Sequence, residues 1–257
     1  MKFHFLTTII IVIFALVSGA HAQKRSVGGS LTKPRLTTAR SAAVGQTAVV
    51  IDETLAVLRE KPSLFSLPLQ RVSRGRRLQI LGSRETDGVT FYRAAVRSNV
   101  GWIQADAVFG KFRPGDEERL AKLIQASDGF DQIEMAVEFF MMYPASRFRP
   151  TILVLYGDLL EDIAAKLSKD ANSRLSKREM AASAAPLHSY YLNFVSLDRY
   201  RKLGVVFLFN SATRQFHYDG ASWAEIVSKH AGSPEASGAK KRLEVLKQKM
   251  EKATAVR

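Results

Sequence analysis

The hydrophobic and polar positions of the chain follow two main patterns, and the first predicts β-strands. From residue 47, short runs of β-branched and other apolar residues alternate with turn residues. Such runs are typical of short strands joined by tight turns. The candidate strands are residues 48–51, 56–58, 78–81, 90–96 and 101–103, with turns at Arg74-Gly75, Asp87-Gly88 and Ser98-Asn99. Strands at this spacing predict a small all-β barrel over residues 47–110.

The second pattern begins after Arg113-Pro114-Gly115, where apolar residues recur every three to four positions. This period is typical of amphipathic α-helices that bury one face. The stripes occupy residues 120–124, 133–141 and 152–167. We therefore expect a helical domain over residues 114–252, followed by a tail at 253–257. Together the two patterns predict an α+β fold with two domains.

A break in the helical period occurs at residues 205–218. An apolar run at 205–209 and an aromatic-rich run at 215–218 flank the polar residues 210–213. Two such runs around a polar turn predict a β-hairpin inserted in the helical domain. A helix through the same region is the alternative.

The first 22 residues have the three parts of an export signal. Lys2 gives a positive start, residues 6–17 are apolar, and Ala20-His21-Ala22 is a small-x-small cleavage site. Because the apolar stretch is shorter than the roughly 20 residues needed to span a bilayer, a cleaved signal is favoured over a retained anchor. We expect a soluble mature protein that begins at Gln23, in the periplasm or outside the cell.

Residues 23–46 are basic and poor in large apolar side chains, which predicts a flexible linker. The whole chain has 38 Lys and Arg against 24 Asp and Glu, a net charge of +14. This charge favours polyanionic partners such as anionic lipid headgroups or acidic cell-wall polymers, or it serves solubility alone. Export makes nucleic acid the least favoured partner. The chain has no cysteine, which excludes disulfides and thiol nucleophiles.

Four short motifs follow one another within residues 47–110. They are Ala56-Val57-Leu58-Arg59 with Pro62, Arg74-Gly75 before Leu78-Gln79-Ile80-Leu81, Asp87-Gly88-Val89-Thr90-Phe91-Tyr92-Arg93-Ala94, and Val100-Gly101-Trp102-Ile103. In this order they resemble a bacterial Src-homology-3-like (SH3-like) domain. The opening Leu-Arg-x-x-Pro and the closing Gly-Trp-hydrophobic element are the most specific parts. The resemblance implies an SH3-like barrel that docks a cell-wall peptide or an envelope protein segment and is not itself catalytic.

The same resemblance implies a ligand groove formed by Arg59, Phe65, Tyr92 and Trp102, with Phe91 beside them. Aromatic faces and one guanidinium suit an extended peptide that carries a carboxylate. Trp102 is either a ligand platform or a core residue of the small barrel. Phe91 and Tyr92 are adjacent on a strand, so one is expected to face inward and the other outward.

The segment before the first predicted turn, Ser63-Leu64-Phe65-Ser66-Leu67-Pro68-Leu69, is unusually apolar for a loop. It either folds back over the barrel or forms a contact surface. In the helical region, residues 140–146 and 227–233 share a helix end, a short turn and a serine cap. These two segments look like parts of tetratricopeptide-like helical hairpins, which implies a scaffold role.

The search for catalytic residues is largely negative. Outside the signal, His188, His217 and His230 lack a paired spacing, and neither a Gly-x-Ser-x-Gly elbow nor a phosphate-binding loop is present. Glycosidases need only one or two carboxylates. The candidates are Glu134, Glu138, Asp158, Glu161 and Asp162, although their helical context favours solvated faces. We expect a non-catalytic adaptor without metal or cofactor; a carboxylate-based wall hydrolase, or an activator of one, is the alternative.

Overall fold

The computed structural model describes residues 41–183 and 185–251. The predicted export signal, the linker up to residue 40 and the tail lie outside the described residues. Seven strands come first, namely β1 (Thr47–Val50), β2 (Val57–Arg59), β3 (Pro68–Arg71), β4 (Arg77–Thr86), β5 (Val89–Val96), β6 (Asn99–Gln104) and β7 (Val108–Phe109), with a 3-10 turn at Ala105–Ala107. The predicted strand segments overlap β1, β2, β4, β5 and β6.

Helices and one hairpin follow the sheet. They are α1 (Asp116–Ala126), α2 (Gly129–Met142), α3 (Arg149–Arg174), α4 (Lys177–Ala182), α5 (Leu187–Leu192), a 3-10 turn at Val195–Leu197, α6 (Asp198–Arg201), β8 (Phe207–Asn210), β9 (Gln215–Tyr218), α7 (Ala221–Lys229) and α8 (Ala236–Glu251). The α+β class is confirmed. The antiparallel pairing of β8 with β9 confirms the predicted hairpin and excludes the alternative helix.

The seven strands form one antiparallel sheet in the order β3-β2-β6-β5-β4-β1-β7. Within the described residues β3 does not pair with β7, so the sheet is not closed and both strands are edges. The expectation of a closed barrel is therefore not met. A two-residue turn at Asp87-Gly88 joins β4 to β5, and both residues have positive φ (57° and 70°), as tight hairpin turns of this length favour.

The hydrophobic core of the sheet lies on one face, which includes Leu58, Ile80, Tyr92 and Ile103. Gly101 is required at this core: a Cβ atom there would lie 2.8 Å from the Leu58 side chain and 2.8 Å from the Arg59 carbonyl oxygen. The Gly-Trp motif thus has a packing cause.

Strand β1 is buried on both faces. Ala48 and Val50 belong to the core of the sheet, whereas Val49 and Ile51 pack with Phe109 against the first helices. The helical residues of this second cluster include Leu120, Ile124, Phe139 and Ile152. Burial on both faces explains why the apolar run at 48–51 does not alternate with polar residues.

Two polar networks join the sheet to the helices. Arg74 donates to the Ile51 carbonyl (2.8 Å) and forms ion pairs with Asp131 (3.1 Å) and Glu134 (3.2 Å) of α2. At the start of α1, the buried Asp116 accepts from the Gly110 backbone N–H (3.0 Å) and from Arg113 Nε (2.7 Å). The predicted turn at Arg74-Gly75 and the segment at 113–115, where the helical period begins, therefore both make specific contacts between sheet and helices.

The three predicted helical stripes correspond to α1, α2 and α3, with one difference in α2. Its buried face carries Met135, Phe139 and Met142, whereas Met141 is 51% exposed. Along the other half of the chain, α3 packs against β9 and α7 in a core rich in aromatic residues. Tyr191 and Phe209 stack there, with ring centroids 4.4 Å apart.

Candidate functional site

The structure brings Arg59 and Trp102 together. They are cross-strand partners on β2 and β6, and Arg93 of β5 faces Trp102 from the other side. Because antiparallel partners point to the same face, Trp102 lies between two arginine positions. It is only partly buried and does not belong to the hydrophobic core. The packing of Trp102 therefore does not support the alternative that it is a core residue of the sheet.

Tyr92 lies apart from this group. It is 6% exposed and packs in the core of the sheet, with its ring 6.1 Å from that of Phe112 in an edge-to-face arrangement. Burial raises the pKa of the Tyr92 phenol. Phe91 points to the opposite face, yet it is fully buried as well. Its cross-strand partners are Arg84 of β4 and Gln104 of β6. Neither aromatic ring of this pair is available on the surface.

Phe65 is 91% exposed at the tip of the loop between β2 and β3. We call residues 60–67 the Phe65 loop. Several hydrogen bonds hold its backbone: Ser63 Oγ accepts from the Phe65 N–H (3.2 Å) and donates to Asp87 (2.8 Å), and Ser66 Oγ accepts from the Lys61 N–H (2.9 Å). The loop therefore presents Phe65 to solvent from a fixed base instead of folding back over the sheet.

Arg59 links the loop to Trp102. Its Nη1 donates to the Ser66 carbonyl at 2.8 Å, one residue from Phe65. Three of the four predicted groove residues, Arg59, Phe65 and Trp102, thus belong to one part of the surface. Among the described residues neither Arg59 nor Arg93 forms an ion pair, so no carboxylate of this part of the chain neutralises the positive charges beside Trp102.

The edge strand β3 extends the apolar surface. Leu67 is 67% exposed and Leu69 is 45% exposed, and β3 uses only β2 as a hydrogen-bonding partner. The backbone N–H and C=O groups along its other edge pair with no described strand. Sequence reasoning treated this segment as loop, because Pro68 and the neighbouring Ser and Pro residues are typical of turns. We call the Phe65 loop, β3, Arg59, Arg93 and Trp102 together the β3 edge surface.

The five candidate glycosidase carboxylates lie in two places. Glu134 and Glu138 belong to α2, whereas Asp158, Glu161 and Asp162 belong to α3 and line one cavity. Glu134 pairs with Arg74, and Asp158 binds Arg242 in a bidentate ion pair. Burial raises the pKa of Glu134, although Arg74 opposes the effect. Burial also raises the pKa of Glu138, and its Oε2 has no hydrogen-bond partner among the described residues. Asp162 is exposed.

Glu161 is the centre of a polar cluster that sequence reasoning missed. Its carboxylate accepts from Lys249 Nζ (2.7 Å) and the Tyr218 N–H (2.9 Å), and it contacts His217 Nδ1 (2.9 Å). Burial alone would raise the pKa of this carboxyl, but the hydrogen bonds outweigh burial and lower the pKa to about 2. Glu161 is therefore ionised near neutral pH and unsuited to the role of general acid.

The described residues contain no group of three or more His, Cys, Asp or Glu side chains arranged to hold a metal ion. None of the helices described is both long enough and apolar enough to cross a membrane. Comparison with protein-family models, with curated proteins and with solved structures found no match to the chain.

Proposed function

We propose that this protein is an exported, non-catalytic binding protein whose sheet is a bacterial SH3-like module. In this proposal the β3 edge surface holds an extended peptide of the cell envelope, either a cell-wall peptide or a segment of an envelope protein. The helical region acts as a tetratricopeptide-like scaffold for a further partner. The predicted export signal in residues 1–22 and the excess of Lys and Arg over Asp and Glu, 38 against 24 in the whole chain, support a partner in an envelope rich in acidic polymers.

One observation carries the proposal: a hydrogen-bonded loop holds an almost fully exposed phenylalanine beside an unpaired arginine. Single exposed apolar residues are ordinary on protein surfaces. Here, however, Phe65, Leu67 and Leu69 are exposed within five residues of sequence. Several large exposed apolar residues in one short segment favour an interaction site. Because the loop is already ordered, little conformational entropy is lost on binding.

The edge of β3 explains why the partner is expected to be extended. An unpaired strand edge offers backbone N–H and C=O groups to a peptide that adds as a further strand. The aromatic and leucine side chains would contact the side chains of that peptide. Arg59 and Arg93 would bind its carboxylates, since a guanidinium matches a carboxylate in shape and charge.

A sedimentation assay with purified cell wall tests the proposal. The mature protein, residues 23–257, is compared with Phe65→Ala and Arg93→Gln. Both side chains are exposed, so the variants should keep the wild-type melting temperature. We expect each to lower retention by about fivefold or more, as loss of an interface anchor does. Met141→Ala and Arg178→Gln are matched controls, because they remove exposed side chains of the same kinds from helices.

Three results would contradict the proposal. The first is unchanged retention in both β3 edge variants. The second is equal retention of wild type and all variants at low salt, with retention lost for all of them at high salt. That result would assign binding to net charge alone. The third is shortening of the wall fragments by the protein, which would favour the hydrolase alternative.

A further inference from the structure

Two adjoining cavities lie along α3, on the part of the molecule away from the sheet core. Their volumes are about 380 Å³ and about 390 Å³. The first lies between α3 and α8 and reaches Trp223 of α7; the second lies between α3 and β9. Glu161, Asp162 and Lys249 line both cavities. We therefore treat them as one depression, the α3 groove, divided by the Glu161–Lys249 ion pair.

The first cavity has an apolar wall. Trp223, Val245 and Leu246 line it. Trp223 and Leu246 belong to the buried core, whereas Val245 is 49% exposed. A cavity of this volume, with apolar walls and a few polar groups, falls in the range of small-molecule sites.

The charged residues around that wall fall into two groups. Arg242 is satisfied by Asp158, at 2.5 and 2.6 Å, and Lys249 is satisfied by Glu161 at 2.7 Å. The side chains of Asp162 and Lys241 also line the cavity, but neither side chain forms a hydrogen bond or an ion pair with another described residue. In this first cavity, the carboxylate of Asp162 and the ammonium group of Lys241 therefore remain available to a ligand.

We propose that the α3 groove binds a zwitterionic ligand of amino-acid or short-peptide chemistry. Its apolar side chain lies against Trp223, its ammonium group pairs with Asp162, and its carboxylate pairs with Lys241. A phosphate ligand would leave the carboxylate of Asp162 without a partner. A wholly apolar ligand would leave both charges without a partner. The proposal is independent of the β3 edge surface.

The fluorescence of Trp223 tests this assignment. The chain has two tryptophans, so Trp102→Phe leaves Trp223 as the only one. The probe is the dipeptide alanyl-phenylalanine, added to this variant of residues 23–257. We expect a saturable fluorescence change, and calorimetry on the wild-type protein should give the same dissociation constant. Acetylation of the amino group, or amidation of the carboxyl group, should weaken binding by about tenfold, the effect of losing one charge-assisted contact.

Variants of the two unpaired residues complete the test. Asp162→Asn and Lys241→Gln should each weaken dipeptide binding by about tenfold. Lys240→Gln should not, because Lys240 is the exposed neighbour of Lys241 and does not line the groove. Phe65→Ala should leave dipeptide binding unchanged, which separates this site from the β3 edge surface.

The outcomes that would overturn the proposal are specific. Absence of saturable binding up to about 10 mM dipeptide would do so, as a weaker interaction is not specific recognition. Equal affinity for the capped dipeptides would also do so. Binding that survives Asp162→Asn and is displaced by inorganic phosphate would identify an anion site instead.

Discussion

A side chain at Gly157 would enter the space that α7 occupies against α3. A Cβ atom there would collide with the indole of Trp223 and the hydroxyl of Ser222, both of which are buried. Neither neighbour is a flexible chain end at the surface. We expect Gly157→Ala to lower the free energy of unfolding by about 1–3 kcal/mol, the usual cost of overpacking. Urea denaturation followed by tryptophan fluorescence measures it.

Gly232 offers a matched control for that substitution. A Cβ atom at Gly232 meets no other atom within 4 Å, and the residue is exposed. Gly232→Ala should change the free energy of unfolding by less than about 0.5 kcal/mol. Equal losses at the two positions would show that the effect at Gly157 does not come from packing.

Truncation of Tyr92 should lower the stability of the protein much more than truncation of Phe65, although both residues were predicted to line one groove. Tyr92 is buried in the core of the sheet, and Phe65 is 91% exposed. Tyr92→Ala should therefore cost about 3–5 kcal/mol of stability, as truncation of a buried aromatic residue does. Phe65→Ala should cost less than about 0.5 kcal/mol. Thermal unfolding of both variants checks this, and an unchanged melting temperature for Tyr92→Ala would contradict the burial.

At the scale of elements, the sequence predicts best where one physical cause acts alone. The strands β4 to β6 were predicted because short apolar runs lie between glycine-containing or polar turns. Strand β3 was missed because it begins with Pro68 in a segment rich in turn residues, which an edge strand tolerates. The predicted closure into a barrel failed at the same strand, since β3 pairs with β2 alone among the described strands.

The Glu161 cluster shows why part of the site was beyond sequence reasoning. Glu161 meets His217 and Lys249, which lie 56 and 88 residues away along the chain. No fixed spacing marks such contacts, because they depend on how α3, β9 and α8 pack together. The same holds for Tyr92: alternation along β5 predicts that Phe91 and Tyr92 point apart, but not that both faces are covered.

The same cluster should make the contacts between α3, β9 and α8 sensitive to acid. The folded-state pKa of Glu161, about 2, lies below its ordinary value of 4.5. Its stabilising contribution is therefore complete above pH 4.5 and is lost as the pH falls towards 2. Near neutral pH, Glu161→Gln should lower the free energy of unfolding by about 1–3 kcal/mol, because it leaves buried donors poorly satisfied.

Urea denaturation of Glu161→Gln and wild type over this pH interval measures that contribution. The difference between them should shrink as the pH falls from 4.5. Asp162→Asn serves as the control, since Asp162 is the exposed neighbour and forms no ion pair with the described residues. A difference that stays constant with pH would show that the ionised carboxylate is not the cause.

At the scale of the whole molecule, the two proposed binding regions belong to different sets of elements. The β3 edge surface is built from β2, β3, β5 and β6, and the α3 groove from α3, α7, α8 and β9. An adaptor needs two such separate sites, because each ligand must bind without displacing the other. The basic chain would add a weaker, salt-sensitive attraction to acidic wall polymers.

Processing of the N-terminus is a separate whole-molecule prediction. Ala20-His21-Ala22 follows the apolar stretch of residues 6–17. Intact-mass and peptide mass spectrometry of the exported protein should therefore identify Gln23 as the first residue, with partial cyclisation of its side chain. Membrane-bound protein that keeps Met1 would contradict the predicted cleavage and favour a retained anchor.

The division of the chain near Arg113 leads to the last prediction. Residues 41–112 and 113–251 each contain a hydrophobic cluster of their own, but a third cluster joins Val49, Ile51 and Phe109 to the helices. Separation would expose that shared cluster and break the ion pairs of Arg74 with α2.

We expect the first segment to give an all-β circular dichroism spectrum and the second a mainly helical one. Each should be less stable than the intact protein, and mixing the segments should restore stability, because burial of the shared apolar surface favours reassociation. Isothermal calorimetry of the mixture measures the reassociation, with Arg74→Ala expected to weaken it. If neither segment folds alone, the chain is one folding unit and the two-domain division is wrong.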